Sequence, residues 1–94
     1  MRLKINKKVW RLEFVKAAAM QSKRNWGECD LPSATNPLMT VRQSLQPKAI
    51  LNVTVHELIH ACRPELSEEA VTETADVIAG VLYKLGARIT PPTV

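Results

Sequence analysis

An α+β fold, with a small antiparallel sheet packed on a helical hairpin, is predicted by three observations. Apolar and polar residues alternate through the first 46 positions wherever they are patterned at all, which is the period of a half-buried strand. From Pro47 onward the apolar residues recur instead at helical spacing. Proline and glycine then punctuate that second half where helices begin and end: Pro47, Pro64 and Gly86. The chain has 94 residues, 46% hydrophobic and 23% charged, which is one domain with a modest core. It divides into sheet and loops over 1–46, the hairpin over 47–86 and a tail over 87–94.

Each element has its own signal. Between Val9 and Val15, Trp10, Leu12 and Phe14 share one face and Arg11 and Glu13 the other, as in a strand with one wet side. Leu3 and Ile5 alternate in the same way just before it, so the two segments form a hairpin or one bent strand. The polar stretch from Gln21 to Asn36, with Gly27 and Pro32, reads as a loop. Leu38 to Gln43 is a second strand, with Met39 and Val41 alternating against Thr40 and Arg42.

Pro47 suits the first turn of a helix, where its missing N–H costs nothing. That helix runs to Cys62, because a residue preceding a proline such as Pro64 avoids helical geometry. It is apolar almost all round (Ile50, Leu51, Val53, Val55, Leu58, Ile59) and must be held by burial. Ser67 caps the next helix, and Glu68 and Glu69 in its first turn complement the helix dipole. The expected buried stripe there is Val71, Ile78, Leu82 and Leu85, beside Ala75 and Val81. Gly86 is the C-terminal stop, and the tail with Pro91 and Pro92 is extended or frayed.

The chain's two histidines both stand in one motif, His56-Glu57-Leu58-Ile59-His60. Positions i and i+4 of a helix share a face, so the two imidazoles can grip one ion. Zinc (Zn2+) favours such nitrogen ligands in a tetrahedral site and, when catalytic, keeps one position for water. Glu57 is rotated by about 100° from His56. It flanks the ion rather than binding it, and can take a proton from the water as general base. A buried pair of histidines without such a role would be costly unless hydrogen-bonded.

A third ligand must be a carboxylate, since no further histidine exists. The short connection after Cys62 folds the second helix back along the first, placing His60 near Glu69 and His56 near Glu73. On a helical wheel Glu69 lies nearly opposite Leu85, whereas Glu68 and Glu73 lie nearer the edges of the apolar stripe. The candidates therefore remain Glu69, Glu73 and Glu68, in that order.

The run Glu69-Ala70-Val71-Thr72-Glu73 resembles the Glu-x-x-x-Asp pattern of gluzincins. The resemblance implies that Glu69 binds the metal and that Glu73 supports a ligand histidine or serves as an alternative ligand. More broadly, the chain resembles a family of phage and prophage metallopeptidases, minimal zincins of this length. The matching blocks are Trp26-Gly27-Glu28-Cys29-Asp30, then His56 to Ala61, then Leu66-Ser67-Glu68-Glu69-Ala70-Val71, and Leu82-Tyr83-Lys84-Leu85-Gly86. It is distantly similar to SprT-like domains, which use a third histidine that is absent here. This resemblance implies zinc-dependent hydrolysis of peptide bonds in a peptide or protein substrate. It also implies that the extended substrate pairs with the strand Leu38 to Gln43, that Trp26 walls the cleft, and that Cys29 is either a fourth ligand or an inert small residue.

The net charge is +4, and eight of the thirteen basic residues fall within the first 24 positions. Such a face is either a solvated surface or a weak contact for nucleic acid through Lys4, Lys7, Lys8, Lys23 and Arg24. An alternative function follows from it: a non-enzymatic phage accessory binding module with a structural zinc and a basic face for nucleic acid or protein. A hydrolase of another amide bond is a third reading. Two cysteines, Cys29 and Cys62, are too few for a disulfide scaffold and fit free thiols, although one bridge between them is open. The basic N-terminus is not followed by an apolar stretch of signal length, and no segment reaches the ~20 apolar residues of a membrane span. A cytoplasmic protein (host cytoplasm, if phage-encoded) is the expectation.

Overall fold

The computed structural model describes residues 1–91. Its strands are β1 (Arg2–Ile5), β2 (Lys8–Val15), β3 (Gly27–Cys29) and β4 (Leu38–Arg42), followed by helices α1 (Pro47–Cys62) and α2 (Glu68–Lys84). The four strands form one sheet in the order β1-β2-β4-β3. The helical hairpin covers one of its faces, so the architecture is α+β.

β1 and β2 form a hairpin, pairing Ile5 with Lys8 and Arg2 with Arg11. The two turn residues, Asn6 at φ 50° and Lys7 at φ 68°, are both left-handed. That combination defines the tight turn whose twist matches the flanking strands. Asparagine tolerates it; lysine does so at a steric cost.

The sheet is mixed rather than antiparallel. β2 and β4 pair in parallel, from Arg11↔Leu38 to Val15↔Arg42, while β3 pairs with β4 antiparallel. A parallel pair needs a crossover of a dozen residues or more, and the chain between Val15 and Leu38 supplies it. That segment returns to the level of Arg11, midway along β2, where Arg11 N donates to Pro37 O at 3.0 Å. On its way it lays down a single 3₁₀ turn (Ala17–Ala19) and the edge strand β3, where the sequence suggests only loop. β4 is therefore an interior strand, with both edges already paired.

The alternation in the strands resolves as expected. Trp10, Leu12, Met39 and Val41 are buried on the helix-facing side, with Ile5, Ile50 and Ala61 completing the core. α1 spans the expected residues, starts on Pro47 and stops one residue before Arg63. Its buried positions, Ile50, Leu51, Thr54, Glu57 and Ala61, include two polar side chains. Thr54 donates to Ile50 O at 2.7 Å. Ser67 caps α2 by accepting from Ala70 N at 3.1 Å. Gly86, at φ 98°, ends it in a pair of bonds from Gly86 N to Tyr83 O and Ala87 N to Leu82 O, the glycine C-terminal motif. Ala87 to Pro91 form no regular element, and the remainder of the tail lies outside the described residues.

The buried face of α2 differs from the expected one. It consists of Val71, Ala75 and Ala79, at 0%, 0% and 2% exposure, whereas Ile78, Val81, Leu82 and Leu85 are exposed. Small side chains let two helix backbones approach closely, and the larger aliphatics cannot occupy that seam. Spacing therefore identifies a helix here, while residue size misplaces its inner face.

The left-handed Lys7 yields a direct test. Lys7→Gly relieves a Cβ strain of about 1 kcal/mol, and is expected to raise the melting temperature by about 4–8 °C in a domain of this size. A thermal unfolding scan showing no rise would contradict the turn geometry.

Candidate metal centre

His56 and His60 lie one turn apart on α1, as the i, i+4 spacing requires, with their Nε2 atoms 3.1 Å from each other. Their rings meet edge to face at 4.8 Å between centroids. The third group at this point is Glu68, from the first turn of α2. Its Oε1 stands 2.8 Å from His56 Nε2 and its Oε2 stands 2.9 Å from His60 Nε2. Two imidazole nitrogens and a carboxylate thus converge on one small volume.

That convergence is the decisive feature of the donor set. Lone pairs aimed at one another are tolerated only around a cation, either a shared proton or a metal ion. A tetrahedral centre with bonds of about 2.0–2.1 Å places its ligand atoms about 3.3 Å apart. The nitrogens are 3.1 Å apart, near that edge length, while the 2.8 and 2.9 Å contacts run to the two different oxygens of Glu68 and are hydrogen-bond distances. Two nitrogens and one oxygen, with a side left open by the exposed Glu68, suit a metal that keeps a free position.

Of the three acids, Glu68 is the one that meets the two histidines. On α2 it sits about 20° from both Ala75 and Ala79 around the helix axis, whereas Glu69 is about 100° and Glu73 about 140° away from it. Because the seam runs along the alanines, Glu68 faces α1 and the other two face water. Glu69 and Glu73 are exposed, and neither forms an ion pair among the described residues. A sequence reading centred on the small residues, rather than on Leu85, would have selected Glu68.

Glu57 is buried at 6% exposure, and its carboxylate lies with the two histidines in a group whose ligand atoms fall within 4.8 Å of one another. Burial, reinforced by the negative charges of Glu68 and then Glu28, pushes its pKa up to about 7. It is held from behind by β3. A Cβ on Gly27 would come within 2.6 Å of both Glu57 Oε2 and Val53 Cγ1. Only glycine leaves room there, which is the close-approach role of a glycine in a strand.

β3 and the residues after it form the opposite wall of an open cleft of about 440 Å³, whose floor is His56, Glu57, His60 and Glu68. Glu28 accepts from Gln21 N at 3.1 Å and from Asn25 Nδ2 at 2.7 Å, and Asp30 accepts from Leu38 N at 3.0 Å. Both carboxylates tie the wall in place. Cys29 lines the cleft too, but burial and the charges of Glu57 and Asp30 push its thiol up to about 12. Without a bound cation, the thiol therefore stays protonated. Both cysteines are free. Trp26 is half exposed and is not part of the wall.

No family model, curated protein or solved structure matches the chain. Among the described residues, no helix is long and apolar enough to cross a membrane.

The Gly27 contact predicts that Gly27→Ala overpacks the β3–α1 seam and destabilises the protein by about 1–3 kcal/mol. Denaturant unfolding measures this, and unchanged stability would mean that β3 does not press on Glu57.

Proposed function

We propose that this chain is a zinc-dependent peptidase with His56, His60 and Glu68 as metal ligands and Glu57 as general base. The observation that carries the reading is the meeting of two histidine nitrogens and one carboxylate beside a second, buried carboxylate. Three ligands leave a fourth position for water, which a closed structural site does not, and a carboxylate beside that water has a use as a base. The resemblance of the motif blocks to those of phage metallopeptidases supports the same reading, and zinc is the metal that nitrogen-rich tetrahedral sites favour.

A bound zinc ion would supply Lewis acidity, polarising a carbonyl and lowering the pKa of water to about 7. The chain's own groups do the rest. Glu57 takes a proton from the attacking water as its oxygen bonds to the scissile carbon. It passes that proton to the nitrogen as the C–N bond breaks, so that the amine leaves neutral. A base works best with a pKa near the operating pH, and the burial of Glu57 provides it. The free edge of β3, beside this group, offers backbone bonds to an extended peptide; interior β4 cannot take that part.

Two predictions separate the roles. Glu68→Ala is expected to weaken zinc binding by more than the roughly 10–100-fold typical of groups outside the ligand set, while Glu69→Ala and Glu73→Ala leave it unchanged. Metal titration of the purified variants measures this. A larger loss at Glu69 would reassign the third ligand.

Glu57→Gln is expected to keep fold and zinc content but to lose about 10²–10⁴ in turnover. The assay is cleavage of a mixture of unstructured proteins, with a chelator control. Full zinc with undiminished cleavage would remove Glu57 from the mechanism. Full zinc with no cleavage by either protein would favour the non-enzymatic binding module.

A further inference from the structure

The sheet face turned away from the helices carries a second cluster of charge. In the β1–β2 hairpin, Arg2 stands directly opposite Arg11. The neighbouring pair, Met1 and Leu12, exchanges both backbone bonds, with Leu12 N to Met1 O at 2.8 Å and Met1 N to Leu12 O at 2.7 Å. Arg2 and Arg11 are therefore a non-hydrogen-bonded pair, the kind with Cα atoms only about 4.5 Å apart and side chains closest. Like charges so placed repel and destabilise a hairpin.

Little in the chain offsets this repulsion. Among the described residues, Arg11 has one acidic partner, Glu13, at 3.8 Å and largely in water, and Arg2 has none. Arg11 Nε is buried without an acceptor, and the outer guanidinium nitrogens, whose one ionic contact is the long one to Glu13, are those left for a ligand. The two arginines, with Val9, Asn36 and Pro37, line a depression of about 230 Å³. No carboxylate lines it, and it shares no residue with the metal cleft.

We propose that Arg2, Arg11 and Asn36 form a binding site for a phosphate group. Guanidinium forks match oxyanion geometry, and the Asn36 amide adds a neutral donor. Inorganic phosphate or a phosphate monoester brings close to two negative charges to the two guanidiniums, and a strand brings one on each successive phosphate. Its source is either a small phosphorylated compound or the backbone of a nucleic-acid strand. Lys4, two residue pairs away and so on the same face, would extend the site along such a strand. Lys8 would not, because its ammonium is engaged with Pro32 O.

The test uses the full ¹⁵N-labelled chain at low salt, titrated with inorganic phosphate and, separately, with a short oligothymidylate. The arginine Nε–H resonances of Arg2 and Arg11 are expected to shift saturably with phosphate. Arg2→Gln and Arg11→Gln should each weaken the binding at least about tenfold, as for loss of a charge-assisted bond. If a strand is the source, the oligonucleotide binds as well, and each substitution lowers the slope of log K against log salt by about 0.7. If a small compound is the source, phosphate binds and the oligonucleotide does not compete. Arg2 is exposed, so its substitution carries the test even if Arg11→Gln unfolds. Absence of a saturable shift, or binding undiminished in both variants, would overturn the proposal.

Discussion

The seam between α1 and α2 decides where the chemistry can be. Ala75 and Ala79 present almost no side-chain bulk, and the hairpin closes on them until they and Val71 are buried between the helices. Closure at that depth brings the first turn of α2 against the last turns of α1, so that Glu68 reaches both histidines. Asn52 Nδ2 donates to Asp76 Oδ1 at 2.8 Å and fixes the same register further along. A bulkier residue at Ala75 would push the helices apart and withdraw Glu68 from the imidazoles before any ligand itself was altered.

The second constraint acts on Glu57 from the other side. A helix with no special environment would turn this carboxylate to water. Here α1 buries it among Ile50, Thr54 and Ala61 on one stripe, and β3 closes over it where Gly27 leaves room. The raised pKa is a consequence of that enclosure first and of neighbouring carboxylates second. A buried acid costs stability, and such a cost is commonly retained where function needs the perturbed group. The sheet thus contributes to the site less through its own side chains than by deciding what Glu57 experiences.

Much of this was legible in the sequence. Both helices, their caps and the alternation of β2 and β4 follow from local rules, which act within a few residues. The two histidines and Glu57 were legible for the same reason. What escaped depended on contacts distant in the chain. β3 is three residues long and gains its identity by pairing with β4, so nothing local marks it except a glycine. The parallel pairing of β2 and β4 requires knowing where the crossover returns. The acid beside the histidines shows how fine the margin is: pairing across the turn by symmetry gave His60 with Glu69, and the observed pair is His60 with Glu68. A one-residue error along a strand changes faces, and along a helix it rotates a side chain by about 100°.

The net charge of +4 describes neither face of the molecule. Glu28, Asp30, Glu57 and Glu68 line the cleft without a lysine or arginine among its lining residues, while Arg2, Lys4 and Arg11 occupy the far side of the sheet. A single layer of strands separates the two. Each face can therefore meet its own class of ligand, a cation with its substrate on one and an anion on the other. The alternation of β1 and β2 accomplishes this: Leu3, Ile5, Trp10 and Leu12 point to the helices, so the arginines between them must point away.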